Sequence, residues 1–155
     1  MTDRPYDSKP DTMAHIYRVA SLLQDVIDDL HARLTVHDDS KLMEPERPVF
    51  DRVTPKLKAL TYGSDEYKAS LAEMGEALTH HYAANRHHPE HFDAGISGMN
   101  LVDLIEMLCD WKAATERHAD GSIGKSLEIN KDRFGIPYDL MTILRNTVRD
   151  WGWHE

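Results

Sequence analysis

Five of the chain's ten histidines fall in one stretch, THHYAANRHHPEHF, residues 79–92. Imidazole is a ligand for borderline metal ions and the side chain whose charge changes near neutral pH. Such a run is a metal site, a pH-sensitive surface or an accident of composition. One ion cannot use five imidazoles, and helical spacing sorts them. His81 stands three residues after Leu78 and seven after Met74, on the line a helix here would bury, whereas His80 falls beside Glu73 and Glu76 on the polar side. His81 is the expected ligand. His87 and His88 cannot be told apart by type, but Pro89 biases His88 to an extended backbone that can aim its ring inward, which favours His88. His91 is expected beside the site or facing solvent, and His31, His118 and His154 on the surface.

A second set begins at HDDSKL, residues 37–42, where His37 and Asp38 put an imidazole and a carboxylate side by side. Together they can bind one cation, or be spread over two with the carboxylate bridging. A His-Asp pair in a surface turn also arises by chance; its place one helix length after His15 gives it weight. His15 continues the apolar line of Val19, Leu22 and Val26, so it is expected inside, where an imidazole must be hydrogen-bonded or metal-bound. In LVDLIEMLCDW the only charges are Asp103, Glu106 and Asp110, at i, i+3 and i+7 on one face. Carboxylates stacked there repel and lose hydration unless cations or donors compensate. The expectation is that Asp103 ligates a metal while Glu106 and Asp110 orient ligands or pair with Lys and Arg; a solvated face is the bland alternative.

Helices must position these groups. Ile16, Val19, Leu22, Leu23, Val26, Ile27, Leu30 and Leu34 recur at three- and four-residue steps after Pro10-Asp11-Thr12, predicting one long amphipathic helix. Pro45 and Pro48 punctuate a turn, and VFDRVTPKLKAL reads as a brief helix. The stretch YGSDEYKASLAEMGEALTHHYAAN predicts a long helix with Ser64 as N-cap, Tyr67, Leu71, Met74 and Leu78 facing inward, and Gly75 as a weak point. HHPEHFDAGISG is turn-rich, Asn100 caps the apolar helix LVDLIEMLCDWKAATERH, and two shorter helices, SIGKSLEINKDRF and YDLMTILRNTVRDW, follow. Ser126, Asn130 and Arg133 share a side of the first, able to roof a pocket or face solvent. Trp151 and Trp153 can pack on the core, line the pocket or seal a homodimer, core packing being the default. The predicted class is all-α, a single helical-bundle domain over residues 1–155 with residues 1–11 as a flexible tail.

Composition bounds the function. At 155 residues the chain can bury a core without staples, and the net charge of −9 argues against a nucleic-acid polymer as partner. A small phosphorylated ligand fits, because bound cations reverse the local sign of an acidic pocket. The single cysteine, Cys109, excludes a disulfide framework and a thiolate zinc site and reads as a small buried hydrophobe. No apolar run approaches the roughly 18 residues a membrane helix needs, so a cytoplasmic protein without membrane contact is expected.

The order His15, His37-Asp38, His81, His88, Asp103 resembles the HD-domain superfamily of metal-dependent phosphohydrolases. HDDSKLMEPE and THHYAANRHHPEH are similar in wording to its two-metal branch, over about residues 12–120. That branch holds the HD-GYP phosphodiesterases and the di-iron oxygenases related to inositol oxygenase. YGSDEYK, HHPEHF and DWKAATERH also resemble phrases of a small phage and bacterial family to which no activity attaches. The glycine-tyrosine-proline signature is missing after HHPEHF, which speaks against cyclic dinucleotides as substrates. The resemblance implies an HD-like fold with ligands converging at its centre. His15, His37, Asp38 and Asp103 would form the one-metal motif, His81 and His88 the additional ligands, and Asp38 the bridge. It implies one or two divalent ions (manganese, iron, magnesium, cobalt or zinc) and hydrolysis of a small phosphorylated substrate, a nucleotide by analogy. Catalysis would fall to Asp38, Lys41 and Glu106, and phosphate binding to Lys41, with Lys112 and Arg33 behind it. A di-iron oxygenase on the same ligands, or a non-catalytic metal-containing phage binding protein, are the alternatives.

Overall fold

The computed structural model describes residues 6–61, 64–117 and 120–153. His118 and His154, and residues 1–5 of the expected tail, lie outside the described residues. The regular structure among the described residues is all helical, with no strand, and none of their helices is long and apolar enough to cross a membrane. The chain divides into two units, residues 1–36 and 37–155.

In the first unit, helix α1 runs Lys9–Val36 and so begins within the segment read as tail. It carries the predicted apolar stripe but buries none of its residues. Ile16, Leu23 and Ile27 are each half or more exposed. The correction is one of environment: the stripe is a local property of the sequence, whereas burying it requires a neighbour that one helix cannot supply for itself. His15 is exposed on this helix, and Arg33 pairs with Asp29 at 3.5 Å one turn away.

The second unit contains α2 (Glu46–Lys58), α3 (Asp65–Ala72), α4 (Gly75–Ala84), α5 (Leu101–Thr115), α6 (Ile123–Phe134) and α7 (Tyr138–Asp150), with short 3₁₀ turns at Asp39–Leu42, Pro89–His91 and Gly95–Gly98. Its main core is built where α5, α6 and α7 meet, from Met107, Leu108, Trp111, Leu127, Met141 and Leu144. Each such side chain contributes roughly 1.5–3 kcal/mol on leaving water. Trp153 packs on this core, while Trp151 sits edge-on to it at 4.9 Å and stays 47% exposed. Cys109, expected inside, is exposed, because α5 turns Met107, Leu108 and Trp111 inward and leaves Cys109 off that line.

Ser64 caps α3 by accepting the backbone N–H of Tyr67 at 3.1 Å. The long helix expected over residues 62–85 is two helices, broken where Gly75 takes φ +46. A positive φ costs an L-residue with a Cβ about 1–2 kcal/mol, and glycine escapes that penalty. The break re-aims α4, whose buried positions are Ala77 and His81.

Candidate metal centre

Asp38 begins the site. It is the one non-glycine residue with positive φ among those described (φ 60, ψ 13), a conformation aspartate tolerates better than most residues. Its carbonyl accepts the Lys41 N–H at 2.9 Å and opens the turn Asp39–Leu42. Its carboxylate is thereby separated into two environments. Oδ1 lies 3.4 Å from His81 Nε2 and 3.5 Å from His87 Nε2, and His81 Nε2 lies 2.8 Å from His88 Nε2. One ligand atom from each of Asp38, His81, His87 and His88 falls within 4.8 Å of the others.

Two of these atoms, Asp38 Oδ1 and His87 Nε2, are buried and have no hydrogen-bond partner. Buried acceptors left bare are costly, so the pair asks for a cation. The spacing fits one: bonds of about 2.0–2.1 Å give ligand-to-ligand edges of about 3.0 Å in an octahedron and about 3.4 Å in a tetrahedron.

Buried carboxylates turn the imidazoles. Glu46, fully buried at the start of α2, accepts from His81 Nδ1 at 2.9 Å and His80 Nδ1 at 2.7 Å, and from Ser40 Oγ at 3.0 Å. With Nδ1–H directed at Glu46, the lone pair of His81 is left on Nε2, where the donors converge. Asn85, which ends α4 in an extended conformation, donates to Ser40 Oγ and to the His81 carbonyl, both at 2.8 Å, and locks this corner. Glu106 Oε1 does the same from α5, accepting from His87 Nδ1 at 3.1 Å and His37 Nδ1 at 2.9 Å. His80 itself points outward, its side chain 47% exposed.

Electrostatics follow from burial and neighbours. Burial, with His87 and His81 adjacent, pushes His88 down to about 2, and burial with Lys41 nearby lowers His81, so both stay neutral and able to ligate. Burial alone would raise Asp38, but Lys41, whose Nζ is 2.5 Å from Oδ2, and the neighbouring imidazoles hold it below the usual carboxylate range. The hydrogen bond to Glu106 raises His37. A second group of possible ligands is His37, Asp38 and Asp110, with His37 Nε2 3.6 Å from Asp38 Oδ2 and 3.9 Å from Asp110 Oδ1. The Asp38 oxygen it would use already receives the Lys41 ammonium, so the four-ligand group is the stronger cation site.

Of the residues singled out in the sequence, His37, Asp38, Lys41, His81, His87, His88, Glu106 and Asp110 come together. Asp103 does not. It is fully buried, yet its carboxylate is occupied: Arg86 donates to Oδ1 at 3.1 Å and Oδ2 at 3.0 Å, and the Asn100 N–H donates to Oδ2 at 3.0 Å. With Asn100 Oδ1 accepting the Asp103 N–H at 2.9 Å, this is a reciprocal capping box, so Asp103 holds the start of α5. Asp110, two turns further along that helix, takes the place at the site expected for Asp103. His15 is on α1, whereas every donor of the cluster comes from the second unit. Lys112 pairs with Glu116 at 3.0 Å, and Arg33 with Asp29 at 3.5 Å. His91 donates to the Tyr82 carbonyl at 3.1 Å, and His31 is exposed.

Glu46 was missed, and His87, expected only as the alternative to His88, stands at the site together with it. His87 shared its signal with its neighbour, and Glu46 looked like one more charge in a proline-flanked turn.

A cavity of about 360 Å3 opens beside the donors, and Asp38, Lys41, His81, His88 and Asp110 are among the residues that line it, together with the cationic Lys58 and Arg117. Asn130 and Arg133 of α6 line it too.

A family profile matches residues 4–150. The chain belongs to DUF5662. That family is described as one of unknown function, and no curated protein and no solved structure matches the chain.

Proposed function

We propose that the chain is a divalent-metal-dependent phosphohydrolase acting on a small phosphorylated molecule. The observation that carries the reading is the pair of bare, buried acceptors Asp38 Oδ1 and His87 Nε2 facing each other within a three-histidine, one-carboxylate group, three of whose members line a cavity. Asp38, His81, His87 and His88 would hold the ion. Imidazole-rich ligation suits zinc, iron, cobalt or manganese better than magnesium. Such an ion supplies acidified water and a Lewis acid for a phosphoryl oxygen.

The chain's own groups do the rest. Glu46 and Glu106 keep the imidazole lone pairs turned to the ion, so no reorganisation is needed during reaction. Lys41 presents its ammonium beside Asp38 to a non-bridging phosphate oxygen and offsets the charge that builds there. Water adds to phosphorus, the P–O ester bond breaks, and the leaving alcohol takes the proton that water gives up. Asp110, on the cavity wall, can carry that proton on Oδ1.

Phosphate release from nucleoside mono- and triphosphates and simple monoesters, with and without added metal, tests this. Metal-dependent release that Asp38→Ala abolishes is the expected result. Metal-loaded protein with no turnover on any phosphate ester would remove the hydrolase reading, and dioxygen uptake by the iron-loaded protein would put the oxygenase in its place.

A further inference from the structure

The cavity beside the donor cluster is lined by the cations Lys41, Lys58, Arg117 and Arg133 and by the acids Asp38 and Asp110. The chain as a whole has the opposite balance, 27 acidic residues against 18 lysines and arginines. Both acids belong to the cluster, and two of the cations are engaged, Lys41 with Asp38 and Arg133 with Glu90. Lys58 and Arg117 are exposed and pair with no acid among the described residues. Cations gathered on one cavity without acids to match draw an anion into it.

Helix geometry sets how far these two stand from the cluster. On α2 the lining residues Phe50, Thr54, Leu57 and Lys58 share one face. Phe50 touches the cluster, its ring 5.8 Å from that of His81 and 5.2 Å from Lys41 Nζ. Lys58 follows two turns later, about 12 Å along the axis. On α5, Asp110 Oδ1 is 3.9 Å from His37 Nε2, and Arg117 comes two turns beyond it, just past the end of the helix and about 10 Å away. A phosphate at the ion therefore leaves both cations for a second anionic group of the same ligand, on the order of 10 Å from the first less the reach of the two side chains.

We propose that the substrate is a bisphosphate, one phosphate reacting at the ion and the other held by Lys58 and Arg117. This rests on the hydrolase reading for the reaction, and on the cations of the cavity for the second phosphate. The Arg117 guanidinium can donate two N–H groups to that phosphate, and Lys58 adds a point charge. Water adds to the phosphorus at the ion, that P–O ester bond breaks, and the leaving oxygen takes the proton water gives up. The products are inorganic phosphate and an alcohol that keeps its second phosphate.

The test compares, on metal-loaded wild type, the bisphosphates of butanediol and hexanediol with the monophosphates of the same diols. The bisphosphates are expected to have kcat/KM about 10–100-fold higher, as charge-assisted hydrogen bonds to one further phosphate supply. In the double variant Lys58→Met, Arg117→Met that ratio, taken against the variant's own monophosphate value, should collapse towards one. Equal values in the wild type, or an advantage that the double variant keeps, overturn the proposal and leave the hydrolase standing. If no ester turns over, the hydrolase fails, and the second phosphate site is read by calorimetric binding of tetramethylene bisphosphonate against butylphosphonate. A bisphosphonate preference that the double variant loses upholds the site; equal affinity, or a preference the variant keeps, ends it.

Discussion

His87 Nε2 and Asp38 Oδ1 face each other at 3.5 Å, both buried, and neither has a hydrogen-bond partner. Two acceptors do not attract; a cation between them reconciles the geometry with its cost. Replacing His87 by Ala is expected to remove one ligand and weaken metal binding more than 100-fold, measured by competition with a chromophoric chelator. Unchanged affinity would take His87 out of the site.

Glu46 supports His81 from a fully buried position. Glu46→Gln keeps the shape but weakens the pull on His81 Nδ1–H, and metal affinity should fall about 10–100-fold with the fold retained. Cobalt substitution gives a second readout, since its visible spectrum reports a change in the ligand field that loss of stability alone would not produce.

Asp103 separates a structural acid from a ligating one. Asp103→Ala should leave metal content intact while destabilising the protein by about 2–4 kcal/mol, through the lost cap and the Arg86 charge left without this partner. Denaturant unfolding checks the loss, and metal analysis checks the retention; disappearance of the ion would restore Asp103 as a ligand.

Lys41 acts on charge. Lys41→Met should retain the ion and lower kcat/KM by about 10²–10³-fold, as removal of a charge-stabilising donor does. Equal activity in the variant would mean that the ammonium only balances Asp38.

Acid should destabilise the metal-free protein. His88 is held at about 2 in the fold against 6.5 ordinarily, and His81 is lowered as well. The stability that comes from keeping them neutral is complete above 6.5 and is lost as pH falls towards the folded value. For His88 each pH unit below 6.5 costs about 1.4 kcal/mol, and His81 adds in the same direction. His37 is raised, so its contribution has the opposite sign, present below 6.5 and lost as pH rises. Thermal unfolding of the apoprotein between pH 7 and pH 5 should show a net fall, and a smaller one in His88→Gln. No fall would mean the imidazoles are solvated.

The sequence carried the helices and half of the site, for reasons that can be named. His81 and Asp38 were readable because one continues an apolar line and the other opens a turn after a helix. The three acids of α5 share a face, but which end of that face reaches the site depends on where the helix begins. Asn100 reads as the cap from sequence, and an aspartate three residues after it, able to complete a capping box, is the signal against Asp103 as a ligand. Gly75 was seen as a weak point and is a break, because a positive φ is a backbone property that residue type permits without requiring. The stripe of α1 was legible as a pattern, whereas its exposure depends on surroundings that periodicity does not encode.

The most direct measurement is element-resolved metal content of protein purified without added metal, for wild type and Asp38→Ala side by side. The account predicts close to one transition-metal ion per chain in the wild type and almost none in the variant. A wild type that stays empty even after loading, or a variant that keeps its ion, would contradict it.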